Sequence, residues 1–418
     1  MSGVDLASVL LQQNGSGNAT GNATNATAGN ATNATAGNAT NATAGNATNA
    51  TAGNATNATA AGPTSETPLP DLISGLLGLD GFGIWGDAVA ALLGAFLIAN
   101  VMLTMTAVAG PWAKRKITAA FTDRIAVNRI GPFGLLIIVA DAVRLLSKEL
   151  IVPEGADRPA WDLAPIILPF SALLGFAVIP MGSGIQLADP ETGLVFAFAA
   201  ASIASLGLVM AGYASNNKYS MLGGLRSIAQ NLAYEIPLVV TAASVVIFTG
   251  TLRMSEIVAV QSQPLIEAGA LTIPSWFAFV NPFAFVLFLV ANMAEIGRNP
   301  FDIPEAPTEI VAGYQTEYSS VYFVLFYLGE FIHIFLGGAL MAVLFLGGAA
   351  PPVPALGFIP GFVWFVIKIW AFFLFTQWCR SAVPRVRIDQ LIEIGWKGML
   401  ELAFANLVLT AIIVGVII

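Results

Sequence analysis

Two side chains on which most metal and redox centres depend are almost missing from this sequence. It holds one cysteine, Cys379, and one histidine, His333. An iron–sulfur cluster takes about four thiolates and a structural zinc about four Cys or His ligands. A bis-histidine haem cannot be built from one imidazole, so no metal site is assigned and no cofactor is expected to be held by this chain. A single thiol also rules out a disulfide within the chain. If the protein takes part in electron transfer, the carrier belongs to a partner. Charge is scarce too: 10 % of residues are Asp, Glu, Lys or Arg, against roughly 25 % in a soluble domain. No lysine or arginine precedes residue 114. Nucleotide-binding loops and Ser/His/Asp sets are absent, so no catalytic residue is assigned and no complete active site is expected in the chain alone. The net charge of −8 gives no reason to expect nucleic acid.

What is abundant is apolar surface. Hydrophobic residues make up 56 % of the chain, more than a soluble fold could hide, so the bilayer must be part of its solvent. The expected fold class is an all-α polytopic membrane protein with about eight spans. Apolar runs place these near 84–109, 163–180, 191–212, 236–250, 275–294, 321–346, 359–378 and 399–418, within a membrane domain covering 84–418. The intervening segments 110–162, 213–235, 295–320 and 379–398 carry fifteen of the 17 Lys and Arg, while the opposite loops hold only Arg253. That asymmetry puts these four loops in the cytoplasm. Both termini of this cell-membrane protein are then extracytoplasmic. Lys368, within a span, is expected to snorkel to an interface.

Residues 1–70 read as a low-complexity, disordered extracytoplasmic tail. Within it, 21–60 is five copies of Gly-Asn-Ala-Thr-Asn-Ala-Thr-Ala, with nothing to stabilise a packed core. Each copy carries two Asn-Ala-Thr sequons, such as those at Asn22 and Asn25. The repeat is either a replication-slippage expansion without a role or a glycosylated tail outside the cell. The first 13 residues lack a basic region, so no signal peptide is expected.

Segment 132–149 is too short and too charged to span. Asp141, Arg144 and Lys148 fall on one helical face, and an interfacial amphipathic helix fits it. The densest concentration of acid is 295–330, where Glu295, Asp302, Glu305, Glu309, Glu317 and Glu330 face one base, Arg298. A solvated acidic loop would not need the interleaved Pro300, Phe301, Ile303, Pro304, Val311 and Tyr314. Carboxylates also stand at or within spans: Glu235, Glu295, and Glu330 with His333 three residues on. Ionisable groups in such places are functional by default, and a chain of them can carry protons. His333 alone is read as a hydrogen-bonded packing residue.

Four blocks at these positions resemble a membrane subunit of respiratory complex I, NADH-quinone oxidoreductase: the H subunit of bacteria, subunit 1 of mitochondria. They are Asn128-Arg129-Ile130-Gly131-Pro132-Phe133-Gly134-Leu135-Leu136 with Ala140-Asp141 and Lys148-Glu149; Gly212 to Tyr219 with Ala229-Gln230 and Tyr234-Glu235; Ala294-Glu295 through Arg298, Pro300-Phe301-Asp302, Pro304-Glu305, Gly313-Tyr314 and Glu317-Tyr318-Ser319; and Pro384-Arg385 through Arg387, Asp389-Gln390 and Trp396-Lys397. The resemblance runs from about 112 to 418. It implies a proton-translocating oxidoreductase, an enzyme as a complex, in which quinone is the substrate bound together with a partner subunit. By position, Arg115, Arg124, Asp141, Arg298, Glu305, Glu309 and Arg385 would line or shape the quinone chamber. Tyr234, Glu235, Glu295, Glu317 and Glu330 would belong to a proton-linked path. The implied partners are peripheral iron–sulfur and quinone-site subunits, antiporter-like membrane subunits, and lipid.

The chain departs from the pattern at five places. Lys114 stands where the family commonly has Glu, Ala126-Val127 where it has Gly-Pro, Ile137 for a usual Gln, Glu401 where Pro is common, and Pro307 for a frequent acidic residue. Three other readings remain open. They are the membrane subunit of an energy-converting hydrogenase, a stand-alone ion transporter, and a structural membrane anchor.

Overall fold

A computed structural model describes residues 68–77, 84–129, 131–268, 271–304, 309–353 and 356–417. The repeat tail, Ile130, Glu305 and Pro307 lie outside the described residues. In chain order the helices are α1 (Leu69–Leu77), α2 (Ile84–Val108), α3 (Lys114–Phe121), α4 (Ile137–Leu146), α5 (Arg158–Phe176), α6 (Gly193–Ala214), α7 (Lys218–Thr249), α8 (Met254–Gln261), α9 (Phe277–Val280), α10 (Pro282–Glu295), α11 (Ser320–Phe345), α12 (Gly361–Ala382), α13 (Ile388–Glu393) and α14 (Leu400–Ile417). Among the described residues seven helices are long and apolar enough to cross a membrane, and α10 is a shorter apolar one. Between α8 and α9 the strands β1 (Pro264–Ala268) and β2 (Leu271–Pro274) pair antiparallel, a small hairpin that the apolar pattern did not announce.

Helix α11 is the hub. Of its most apolar window, 83 % is buried inside the protein, against 22 % for α2 and for the last span. A helix screened from lipid in this way can carry ionisable side chains, because protein or water can solvate them. Helix α5 packs along it: Gly329 brings α11 so near that an added Cβ would lie 2.8 Å from Leu168 and 2.9 Å from the nitrogen of Pro169. Pro165 has no N–H, so the Trp161 carbonyl four residues back loses its helical donor. The Tyr318 hydroxyl donates to that carbonyl at 3.4 Å, and the two rings stack at 3.9 Å. A proline in one helix is thus matched by a tyrosine just ahead of another.

Three local expectations change. First, the fourth span does not start near 236. Helix α7 begins at Lys218 and runs 32 residues, roughly 48 Å at 1.5 Å per residue, longer than the hydrocarbon layer of about 30 Å. The polar stretch 218–235 stays helical because it packs on α6 through glycine. A Cβ at Gly212 would lie 2.8 Å from the Ser220 carbonyl oxygen. Second, the fifth span is broken. Asn281 leaves helical geometry between α9 and α10, and its side chain accepts from the Ala284 N–H at 3.0 Å.

Third, Lys368 does not snorkel. It is buried on α12, where Nζ donates to the carbonyls of Leu346, Gly348 and Ala350 at 2.6, 2.7 and 2.7 Å, with the Trp276 ring 4.5 Å away. These carbonyls follow the C-terminus of α11, where helical donors have run out. Three acceptors match the three donors of an ammonium.

Segment 132–149 contains α4, and its charges divide. Val139, Val143 and Leu146 are exposed, as an apolar face toward lipid requires, whereas Asp141 turns inward. Ser320 at the start of α11 donates to the carbonyls of Leu145 and Lys148, fastening the end of α4 to the hub.

The turn Gly313–Gln315 lies directly on α7. A Cβ on Gly223 would meet the Tyr314 nitrogen at 2.6 Å and the Gly313 Cα at 2.8 Å. Replacing Gly223 by Ala should displace that turn at a cost of about 1–3 kcal/mol, read as a lowered melting temperature in detergent. Gly398, with open space around it, should tolerate the same change without loss. Equal melting of the two variants would contradict this packing.

Candidate functional site

Helix α10 ends inside the protein. Gly297 adopts φ +68°, a left-handed closure that favours glycine, and its N–H reaches the Ala294 carbonyl at 3.2 Å. Gln230 of α7 then clamps the next stretch of chain, its Nε2 donating to the carbonyls of Ala294 at 2.6 Å and Phe301 at 2.8 Å. With both ends of 294–301 held, the segment turns inward rather than into solvent. Arg298, Phe301, Asp302 and Ile303 are buried.

Arg298 meets Glu330 of α11 at 3.0 Å, with side chains 3 % and 11 % exposed. Its guanidinium lies 4.8 Å from the Phe331 ring, and Lys114 Nζ lies 5.3 Å from the same ring. The neighbouring carboxylate, Asp302, has an oxygen (Oδ1) buried without a hydrogen-bond partner. Burial pushes the Asp302 carboxyl above its ordinary value, and the Glu330 charge adds to the rise. Arg298, Arg380 and Arg385 pull it back.

These groups surround a cavity of about 80 Å³ between α5, α6, α7, α10 and α11. By the same measure one water needs roughly 10–15 Å³, so there is room for several. Glu295, Asp302, Glu330, His333, Asn292 and Gln230 contribute polar lining, and Leu168, Leu208, Leu336 and Leu340 close it with hydrocarbon. A space of this size with several polar groups on its wall has room and partners for water. Ionisable groups connected by water can exchange protons.

Of the residues assigned to a proton-linked path, the cavity gathers Glu295 and Glu330. The other three do not line it, although Glu235 acts electrostatically on Glu295. The Tyr234 hydroxyl donates to the Leu391 carbonyl at 2.9 Å and its ring packs on Phe301. Glu235 accepts from the Ser202 hydroxyl, and Glu317 from the Asn217 amide at 2.5 Å.

Of the chamber residues, Arg298 belongs to the cavity wall by its pair with Glu330, and Arg385 acts on Asp302. Asp141 is held by Arg115 at 2.7 Å and Arg144 at 2.9 Å, and Glu309 pairs with Arg226 at 2.6 Å. Arg124 stands on the turn after α3, its N–H on the Ala119 carbonyl. Glu305 is outside the described residues. Asp302, Gln230, Asn292 and His333 were not among the site residues expected from sequence. Spacing offered a signal for two of them, since Asn292 and Glu295, and Glu330 and His333, are each three apart on one helical face.

A bundle of membrane-length helices around a carboxylate-lined cavity defines a multi-pass membrane protein that holds ionisable groups away from lipid. Its family is specific: the chain belongs to the NADH dehydrogenase family, whose description matches residues 93–411. The H subunit of NADH-quinone oxidoreductase from Geobacillus kaustophilus (strain HTA426) is 44 % identical over 322 residues, 77 % of this chain and 92 % of that protein. Proteins of the same name from Bacillus cereus (strain B4264) and Bacillus thuringiensis (strain Al Hakam) are each 45 % identical over 305 residues, 73 % of this chain and 88 % of theirs. The relatives are membrane subunits of an oxidoreductase complex, and the resemblance seen in the four polar blocks holds over most of the chain.

Proposed function

We propose that this chain is the membrane subunit of a quinone-reducing complex, forming part of the quinone chamber and coupling quinone reduction to proton movement through the Glu295–Glu330 cavity. The single observation that carries this reading is the cavity itself, where Glu295 at the end of α10 and Glu330 within α11 meet Asp302, with the buried Arg298 paired to Glu330. Quinone enters from the bilayer toward the cytoplasmic loops 110–162, 213–235, 295–320 and 379–398. Two electrons from an iron–sulfur partner and two protons turn it into quinol. The charge change at Asp141, Arg298, Glu309 and Arg385 alters the protonation of the cavity, which passes the effect to antiporter-like subunits. This is coupling free energy between two sites.

In this reading the termini and the repeat tail are extracytoplasmic, and the membrane domain extends over 84–418. Identity of 44–45 % to H subunits of NADH-quinone oxidoreductase favours the quinone branch over an energy-converting hydrogenase or a stand-alone transporter.

A photoreactive quinone analogue added to the purified complex should label this chain within 110–162 or 295–320, and excess quinone should suppress the labelling. Labelling confined to the segments between α5 and α6 or between α11 and α12 would contradict the chamber.

A further inference from the structure

The geometry points to His333, a side chain without an assigned role, as a proton-carrying member of the cavity, and this rests on the proposed proton-coupling role of that cavity. Three observations carry it. His333 is on the most enclosed helix and lines the cavity. It stands one turn from Glu330. It is also anchored from α5: Ser171 Oγ lies 2.8 Å from the Leu168 carbonyl oxygen and 3.2 Å from His333 Nε2. The ring is thus tied to α5 along its Nε2 edge.

Here the ring takes a proton that a protonated Glu330 carboxyl gives up, directly or through a water, leaving imidazolium and carboxylate, and passes that proton on to the Glu295 carboxylate, which restores the neutral ring. The groups facing it across the cavity are Glu295 from α10, Asp302 and its neighbour Arg298 from the following loop, Gln230 from α7, and Glu330 from its own helix. Ser171 positions the imidazole and does not itself carry the proton.

The test uses the assembled complex in sealed vesicles with its own electron donor and a soluble quinone, following proton translocation across pH. His333→Gln should lower translocation by about tenfold, less than the roughly hundredfold that an obligatory acid–base group contributes, and change its pH profile. Ser171→Ala, which releases the ring from α5, should shift the pH profile while keeping assembly. An unchanged profile in His333→Gln would overturn the assignment. If His333→Gln fails to assemble, an unchanged profile in Ser171→Ala overturns it instead. Glu295→Gln in the same assay separates the two levels. Loss of translocation there alongside a normal His333→Gln profile sinks only the histidine, whereas full translocation in Glu295→Gln sinks the path on which it rests.

Discussion

Arg298→Met is expected to leave little assembled complex in the membrane at neutral pH. The arginine is the one base of the acidic stretch, its side chain 3 % exposed and 3.0 Å from a Glu330 that is nearly as sealed. Removing one partner of a buried pair strands the other as an uncompensated charge and costs about 3–5 kcal/mol, a large share of the roughly 5–15 kcal/mol typical of a folded domain. Glu330→Gln in the same chain should restore part of the assembly, because two neutral groups then replace an orphaned charge.

The deficit should also depend on pH, with a sign that Asp302 sets. Its carboxyl is raised by burial and by Glu330, and lowered by Arg298 among others, so losing Arg298 raises it further. A raised folded value means that between the ordinary carboxylate range and the folded value the native state holds a proton the unfolded chain has lost. Stability therefore falls as pH rises through that window, and the variant's window reaches higher than the native one. Melting in detergent across pH should show the deficit of Arg298→Met shrinking on acidification. A deficit that is constant with pH would contradict the role given to Asp302.

Glu295→Gln is expected to assemble normally, because the amide has the same shape, and to lose proton translocation by about hundredfold or more, the scale of a positioned acid–base group. Glu295 closes α10 at the point where the chain turns inward, and it shares the cavity with Glu330, Asp302 and His333. If the cavity is on the proton path, no neighbour replaces this carboxyl from α10. Quinone reduction should fall along with translocation, because the two are one coupled process. Normal assembly with both rates intact would remove Glu295 from the mechanism.

Most of the spans were legible because one strong physical constraint acts on single segments. Roughly 20 apolar residues are needed to cross the bilayer. Long helices such as α2, α6 and α11 follow from this alone. The start of α7 did not, because 218–235 is polar and stays helical through glycine contacts with α6, a tertiary effect. Lys368 misled for a related reason: snorkelling is the rule for a lysine without partners, and its three carbonyls come from a turn distant in sequence.

The site was half legible. Glu295 and Glu330 announced themselves as charges in apolar runs. Asp302 was visible as acid but not as buried, because its burial depends on Gln230 clamping the loop. His333 read as packing because α11 is apolar all round, with no periodicity to show which face meets a cavity. Tyr234, Glu235 and Glu317 also stood out in the chain; they bond to Leu391, Ser202 and Asn217, and of the three only Glu235 acts electrostatically on the cavity carboxylate Glu295.

The central claim is that quinone reduction changes the protonation of the cavity carboxyls. Redox-induced infrared difference spectroscopy on the assembled complex reads this directly. The expected result is a carboxyl C=O band that appears when quinone is reduced, shifts in deuterated water and is lost in Glu295→Gln. A difference spectrum with the same carboxyl bands in both proteins would mean that electron transfer does not reach the cavity.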